Sequence, residues 1–190
     1  MDTCPVKLQG KLYLHRDRSY SKSSIVAMRK EFVPAVEGMM SDYGLDGVIT
    51  HKDCTVIDSK PVLKGSQGRV PVISTFGASE GFNGAAGKRI GVVGTPHLPE
   101  HALKLLAHAV GVPIHGISFE FDCRTVRRHE FEVSLWCVSD DEFFQALEFG
   151  LVERELVQAV GRARLLENEC EVHLWSNYVL SGGEVWRKVG

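Results

Sequence analysis

The sequence has no long apolar run, no C-x-x-C pair and no excess of charge of either sign. Because no run approaches the length that crosses a bilayer, and no signal-peptide pattern opens the chain, we expect a soluble, cytoplasmic protein. The five cysteines are scattered and odd in number, which indicates reduced thiols of an intracellular protein. With 22 basic and 24 acidic residues, the formal net charge of -2 excludes a uniformly basic nucleic-acid binder but not local basic patches.

The sequence also lacks the phosphate-binding loop of a complete ATPase. That loop reads G-x-x-x-x-G-K-[ST], and its hydroxyl binds magnesium. The segment ending in Gly87-Lys88 has Phe82 at the first glycine position and Arg89 in place of the hydroxyl residue. We also identify no acidic magnesium-binding box. We therefore do not expect this chain to contain the half of an ATPase that binds ATP and Mg²⁺.

Strand-like and helix-like segments alternate along the chain. Apolar runs predict strands at residues 11–15, 47–50, 70–73, 89–93 and 170–175, and two short strands between 54 and 64. Helical spacing predicts helices near residues 23–43, 100–110 and 140–161. This alternation is typical of a single α/β domain with a mainly parallel sheet flanked by helices. Residues 1–10 and 177–190 are expected to be a tail or linker and a polar C-terminal tail.

Several local features are predicted for these elements. Pro34 is expected to break or kink the first helical stretch, and Tyr43-Gly44 to end it. Ser139-Asp140 is expected to cap the last helix. In the middle helix, which follows Pro99, an apolar face is predicted that consists of Leu103, Leu106, Ala107 and Val110.

Residues 117–138 have a different pattern from the rest. Apolar and polar residues alternate on both sides of 124–129, which predicts an inserted antiparallel β-hairpin. Its basic residues Arg124, Arg127 and Arg128 are candidates for contact with a phosphate backbone, although a solvated turn explains them almost equally well. His97 and His101 lie on either side of the proline that opens a helix, so we predict no metal site there.

The segment 155–164 reads E-L-V-Q-A-V-G-R-A-R and continues the last helix. Gln158 and Arg162 are four residues apart and so share a helix face. Gly161 lets the backbone pass close to another group, and Arg164 adds a second guanidinium. Such a helix end suits the neutralisation of a phosphoryl group. The alternative is a solvated helix end whose cations complement the helix dipole.

This segment resembles motif VI of superfamily 2 helicases, Q-x-x-G-R-x-x-R. Gln158, Gly161 and Arg162 are in register, whereas the eighth position is Leu165 and Arg164 comes one residue early. The resemblance implies that Gln158, Arg162 and Arg164 act on ATP and that Gly161 lies next to it. It supports Arg162 as the arginine finger more directly than Arg164.

Residues 75–83, T-F-G-A-S-E-G-F-N, follow a predicted strand and resemble motif V of the same family. The resemblance implies that Gly81 and Asn83 bind the nucleotide, while Thr75 and Thr95 contact the nucleic-acid backbone. Backbone N–H groups and small side chains in such a loop can bind phosphates. Without the resemblance, an ordinary strand-to-helix connection explains the segment. We expect residues 74–83, residues 95–97 and the helix that carries Gln158 to converge at the carboxyl ends of the strands.

Residues 11–176 resemble the second RecA-like domain of a superfamily 2 helicase in motif order and spacing, closest to replication helicases of plasmids, viruses or other mobile elements. L-Y-L-H-R at 12–16 is similar to the motif IV region. The resemblance implies a C-terminal motor domain that acts on DNA or RNA together with an N-terminal RecA-like domain holding ATP and Mg²⁺. Such a domain is expected to be inactive alone.

Two other classes of protein remain compatible with the sequence. One is a stand-alone nucleic-acid-binding or regulatory domain that kept the fold without the motor. The other is an unrelated doubly wound small-molecule enzyme in which the Q-x-x-G-R match is accidental.

Overall fold

A six-stranded parallel sheet forms the centre of the fold. A computed structural model describes residues 8–16, 18–27, 29–52, 56–57, 60–61, 71–78 and 83–185. The sheet contains β1 (Lys11–His15), β2 (Gly47–Thr50), β5 (Val72–Thr75), β6 (Ile90–Val93), β9 (Glu171–Trp175) and β10 (Glu184–Val185). Its strand order is β10-β1-β9-β6-β2-β5, and every neighbouring pair is parallel. The predicted α/β class with a mainly parallel sheet is confirmed.

Helices lie on the sheet and bury both of its faces. They are α1 (Lys22–Ala27), α2 (Arg29–Tyr43), α3 (Glu100–Ala109) and α4 (Glu142–Gly161). Alternate residues of β9 separate the two faces: Val172 and Leu174 belong to the core cluster with α4, and Trp175 to the cluster with α2. Burial on both faces explains why β6 reads I-G-V-V without polar residues. None of the described helices is long and apolar enough to cross a membrane.

Helix α2 continues through Pro34, so the predicted break at this residue is wrong. Phe32 and Val36, on either side of the proline, are both buried in the core. Their burial offsets the one backbone hydrogen bond that proline removes. Gly44 ends the helix in the left-handed conformation (φ +59°), and Leu45 N–H donates to the Met40 carbonyl at 3.0 Å. The predicted C-terminal glycine is confirmed.

Helix α4 is capped by Asp141, one residue later than predicted. The Asp141 carboxylate accepts hydrogen bonds from the N–H groups of Phe143 (3.0 Å) and Phe144 (3.1 Å). The Ser139 hydroxyl instead donates to the Ser118 carbonyl and accepts from the Asp141 N–H. The Asp-Glu pair at 141–142 therefore begins a helix, and the aspartate is engaged as its cap.

The predicted hairpin is confirmed as a separate two-stranded antiparallel sheet of β7 (Asp122–Arg128) and β8 (Phe131–Cys137). Its turn is His129-Glu130, and His129 has a left-handed backbone (φ +52°). Of residues 124–129, which separate the two alternating runs, only His129 lies in the turn, because Arg124 to Arg128 pair with β8 along their whole length. The local alternation was strong on both sides of this segment but did not indicate how far each strand extends.

Three smaller expectations meet different outcomes. The two short strands between 54 and 64 are confirmed as β3 (Val56–Ile57) and β4 (Lys60–Pro61), which are antiparallel. Strand β5 begins at Val72 rather than at residue 70. On α3, Leu103 and Ala107 are buried, whereas Leu106 and Val110 are exposed, so the predicted apolar face is only half correct.

The C-terminal segment is part of the fold, and its description as a tail from residue 177 is wrong. Tyr178, Val179 and Leu180 are buried in the core with α4. Strand β10 then pairs with β1 at the edge of the sheet. At the other end of the chain, the N–H groups of Gln9 and Gly10 both donate to the Leu165 carbonyl at 2.9 Å. Residues 1–7 lie outside the described part.

A cluster of histidine and aromatic rings lies between α2 and the sheet. His15 Nε2 and His173 Nδ1 are 2.9 Å apart, and both side chains are buried. Tyr43 and Trp175 pack against the pair, with the His15 ring stacked on the Trp175 ring at 4.3 Å between centroids. Burial, followed by the neighbouring His15 and Arg89, lowers the pKa of His173 from 6.5 to about 4.

We predict that this lowered pKa makes the protein less stable in acid. Between pH 6.5 and about 4 the unfolded chain binds a proton at residue 173 that the folded chain does not. The free energy of unfolding therefore falls as the pH drops through this window, by up to about 3 kcal/mol from this group. His173→Gln removes the titrating group and should flatten the profile in urea unfolding at pH 7, 5.5 and 4. Parallel profiles for the two proteins would contradict the assignment.

Candidate functional site

The loop after β5 is held against α4 by a carboxylate. Gly77 N–H donates to Glu155 Oε2 at 3.0 Å, and Gly77 adopts a positive φ of +76° to make this turn. Just before it, Phe76 N–H extends the pairing with β2 by donating to the Thr50 carbonyl at 3.1 Å. Thr75, half-buried, is the last residue of β5. The segment resembling motif V and the helix resembling motif VI are therefore in direct contact.

A small depression lies where these two segments meet. Its lining includes Ser74, Thr75, Gln158 and Arg162. Gln158 is exposed, and Arg162 is half-buried and forms the C-cap of α4. The depression encloses about 10 Å³. This volume has room for about one water molecule, so the chain offers side chains to a phosphate here but not a pocket that encloses one.

Arg164 lies just past the end of α4 in a left-handed conformation (φ +55°). Its carbonyl accepts hydrogen bonds from the N–H groups of Glu167 (2.9 Å) and Asn168 (3.0 Å), which turn the chain towards β9. Its guanidinium, about half exposed, donates to Glu167 Oε2 and to Asn83 Oδ1, each at 3.2 Å. Two residues selected from separate motifs, Asn83 and Arg164, are thus bonded to each other.

The contact between Asn83 and Arg164 lies at the amino ends of the strands. The turn that begins at Asn83 leads into β6, and within it Gly87 N–H donates to the Ala163 carbonyl at 3.0 Å. Thr75, in contrast, lies at a carboxyl end. The expected convergence at the carboxyl ends is therefore wrong for Asn83 and Arg164, whose contact lies at the opposite edge of the sheet from Thr75. Gly81 lies outside the described residues.

Gly161 does not make the predicted close backbone approach to described residues of this chain. It is exposed, and a Cβ atom added there would meet nothing within 4 Å among the residues described. The surface beside it includes Val157, Arg164 and Leu166, which line an open cavity of about 350 Å³. A glycine at this position leaves the helix end accessible to a group outside the chain.

Thr95 is not presented to a ligand, which corrects its prediction as a nucleic-acid contact. Its side chain is completely buried, with Oγ1 3.1 Å from Ser176 Oγ and accepting a hydrogen bond from Asn177 N–H at 2.9 Å. The buried hydroxyl fastens the end of β6 to the segment after β9. Because Ser176 and Asn177 follow Thr95 by 81 and 82 positions, no local sequence pattern predicts this role.

His97 pairs with a buried carboxylate rather than with His101. His97 Nδ1 is 3.3 Å from Glu148 Oε1, and Glu148 Oε2 accepts a hydrogen bond from Val138 N–H at 3.1 Å. Burial, followed by the charge of Glu148, raises the pKa of Cys137 to about 12, so this thiol stays protonated. Cys123, Cys137 and Cys170 are free thiols. In the described ranges, no group of three or more His, Cys, Asp or Glu side chains could hold a metal ion.

The three hairpin arginines that were candidates for contact with a phosphate backbone do not lie together on one face of the hairpin. Arg124 and Arg128 are half-buried on the inner face of β7, and Arg128 lies over the Phe149 ring of α4 at 4.1 Å. Arg127 is exposed on the outer face, where its register partner is Glu132. Adjacent residues of a strand point to opposite faces, so Arg127 and Arg128 lie on different faces of the hairpin.

Sequence reasoning missed the two glutamates that organise α4. Glu148 lies midway between Phe144 and Val152 at helical spacing, so its position on a buried face could have indicated a buried polar partner. Glu155 gave no such signal, because its partner Gly77 is 78 residues away. Both carboxylates accept hydrogen bonds from backbone N–H groups just after the end of a strand, Gly77 after β5 and Val138 after β8.

Comparisons of the chain with protein-family models, with curated proteins and with solved structures found no match.

The two faces of β7 give a prediction about stability. Arg128→Ala should lower the free energy of unfolding by about 1–2 kcal/mol, because the guanidinium and its stem are packed on Phe149. Arg127→Ala, on the exposed face, should change it by less than about 0.5 kcal/mol. Urea denaturation of both variants measures the difference. Equal losses, or a larger loss for Arg127→Ala, would contradict the described register.

Proposed function

We propose that this chain is the C-terminal motor domain of an ATP-dependent helicase or translocase of superfamily 2. The proposal rests on one observation: the segments 75–83 and 155–164, which resemble motifs V and VI, are hydrogen-bonded to each other at both ends. Gly77 is bonded to Glu155, and Asn83 is bonded to Arg164. Each segment resembles a nucleotide-binding motif in sequence. Because the two segments also contact each other, together they support the helicase assignment more strongly than either resemblance alone.

The proposed role of the chain is to bring arginines to ATP held by another domain. Arg162, at the C-cap of α4, would stabilise the charge that develops as the γ-phosphate leaves. The Arg164 guanidinium would release the Glu167 carboxylate and bind the nucleotide instead. Because that ion pair is largely exposed, with 45% of the arginine side chain and 65% of the glutamate side chain accessible, the exchange would cost little. Gln158 and Asn83 would orient the same phosphate and nucleoside groups.

ATP and Mg²⁺ would be held mainly by an N-terminal RecA-like domain, on the same polypeptide or a partner chain. The exposed end of α4 at Gly161 leaves room for that domain to approach. Asp141, the aspartate of the Asp-Glu pair, caps helix α4 through its Oδ1. The mechanism therefore gives this chain the arginines and gives the partner domain the phosphate-binding loop and the metal.

The nucleic-acid strand would contact a smaller set of residues than the sequence suggested. Arg127, on the outer face of the hairpin, is exposed, and Thr75, at the carboxyl end of β5, is half-buried. ATP binding would close the two domains on each other, and hydrolysis would release them, advancing the strand held at Thr75. We place such a motor in the cytoplasm, in keeping with the free thiols of the three described cysteines.

Replacement of Arg162 tests the proposed catalytic role. In a polypeptide that carries both domains, Arg162→Ala should lower ATP turnover by about 10³-fold or more, the scale of a lost arginine finger, while ATP binding changes far less. Arg154→Ala removes an exposed arginine two turns earlier on the same helix and serves as the matched control. Turnover near the wild-type rate in the Arg162 variant would overturn the assignment.

Charge reversal on the hairpin tests the contact with nucleic acid. Because the net charge is slightly negative, binding should depend on local cations and weaken steeply with salt. Arg127→Glu should lower the affinity for single-stranded DNA or RNA and reduce the slope of log K against log salt by about one. Lys30→Glu, an exposed charge reversal on α2, is the control. Affinity that is unchanged in the Arg127 variant would show that the hairpin does not contact the strand.

A further inference from the structure

The hairpin of β7 and β8 has one buried face and one face that is open to solvent. The side chains of Val133, Leu135 and Cys137 are buried in the core cluster that also contains Phe149 of α4. Adjacent residues of a strand point to opposite faces, so the side chains between them lie on the outer face. Packing of the inner face therefore holds the hairpin on the domain, and the outer face stays accessible to another molecule.

An exposed aromatic ring lies at one end of the outer face. Phe121 comes directly before β7 and is 56% exposed. Its ring is stacked on the Trp136 ring, with 5.1 Å between the ring centroids and 20° between the ring planes. Trp136 pairs in register with Cys123, so Phe121, two residues earlier, is its diagonal neighbour on the same face. Trp136 supports one side of the Phe121 ring and fixes its orientation, while the exposed side remains open to stacking.

An arginine without a partner lies at the other end of the outer face. Arg127 is exposed, and within the described part of the chain its guanidinium makes no hydrogen bond and no ion pair. Glu132 faces Arg127 in register and is also exposed, but these two described side chains form no ion pair. The six residues from Phe121 to Arg127 correspond to about 20 Å of strand. A nucleic-acid strand along this face would therefore meet the ring and the guanidinium at different nucleotides.

Two hydroxyl groups lie between the ring and the arginine. Thr125 and Ser134 are exposed register partners on the outer face, and neither hydroxyl is hydrogen-bonded to another described residue. Hydroxyl and guanidinium groups bind phosphate and sugar oxygens, which positions a nucleic acid without reading its sequence. Aromatic rings stack on the faces of bases. The outer face thus combines, along one line, the groups that proteins use to hold single-stranded nucleic acid.

We propose that the outer face of the hairpin binds single-stranded nucleic acid, with a base stacked on Phe121 and phosphates at Arg127 and the two hydroxyl groups. The inference rests on the proposed contact of Arg127 with nucleic acid and adds the class of substrate. In a duplex the bases are stacked on each other, so they offer no face to the Phe121 ring, whereas a single strand can turn a base onto it. Because every base has a face that stacks, the site tolerates any sequence.

Fluorescence anisotropy with residues 1–190 and labelled oligonucleotides measures the preference for single strands. The probes are oligothymidylate, oligouridylate and the duplex of oligothymidylate with oligoadenylate. The tighter-binding single strand should bind at least about fivefold more tightly than the duplex, because it offers a base face to Phe121. Which of the two single strands binds more tightly identifies DNA or RNA as the substrate. Inorganic polyphosphate, a polyanion without bases, should compete only weakly.

Substitutions at Phe121 separate stacking from charge and from stability. Phe121→Ala should weaken single-strand binding by about fivefold or more without changing the slope of log K against log salt, because a phenyl ring releases no counterions. Phe121→Trp should retain the affinity, whereas Phe121→Leu, apolar but not aromatic, should lose it. Phe143→Ala is the matched control, because Phe143 is also an exposed phenylalanine, at 44%, but lies on α4.

Three results would overturn the proposal. They are a duplex bound as tightly as the single strands, polyphosphate that competes as well as an unlabelled oligonucleotide, and a loss of affinity in Phe121→Ala no greater than in Phe143→Ala, with both variants folded by circular dichroism. If the wild-type protein binds nucleic acid and only the Phe121 effect is missing, the proposed contact at Arg127 stands without the stacked base. If the wild-type protein binds none of the oligonucleotides, both fail. Because no ATP turnover is measured, the test of Arg162 is independent of these outcomes.

Discussion

The structure depends on one long helix whose carboxylates bind backbone N–H groups of the loops around it. Glu148 holds the start of the segment between the hairpin and α4 through Val138, and Glu155 holds the loop after β5 through Gly77. Burying Glu148 is tolerable because both of its oxygens have partners. The same helix packs its apolar face on β6 and β9, so the positions of its C-terminal arginines follow from its burial.

Much of the fold could be predicted because its signals are local. Strands β1 and β2 were predicted with their observed bounds, since each is a short apolar run bounded by glycine or polar residues. Gly44 was predicted as a helix end because glycine readily adopts the left-handed conformation found there. The helix break predicted at Pro34 is wrong for the opposite reason. Burial of the neighbouring side chains, which is a tertiary effect, outweighed the local preference of proline to end a helix.

The candidate site was harder to predict, because its decisive contacts join distant residues. The segment with Gln158 and Arg162 was selected from its helical spacing and its resemblance to motif VI, but its hydrogen-bond partners were not predicted. Arg164 and Asn83, which are hydrogen-bonded, are separated by 81 residues. Thr95 is buried and hydrogen-bonded to the segment after β9. The inward orientation of Arg128 follows from the register of β7, which depends on where the turn falls. Sequence patterns identified the elements, and only the packing identified which side chains remain accessible.

Phosphate release by residues 1–190 with Mg²⁺ and single-stranded nucleic acid, alone and joined to an N-terminal RecA-like domain, is the sharpest test of the proposed motor role. We expect no turnover by the chain alone, because in that role its arginines stabilise charge on a phosphate that the other domain holds. We expect nucleic-acid-stimulated turnover once that domain is present. Turnover by the chain alone that survives repurification and disappears with Arg162→Ala would contradict the proposed role.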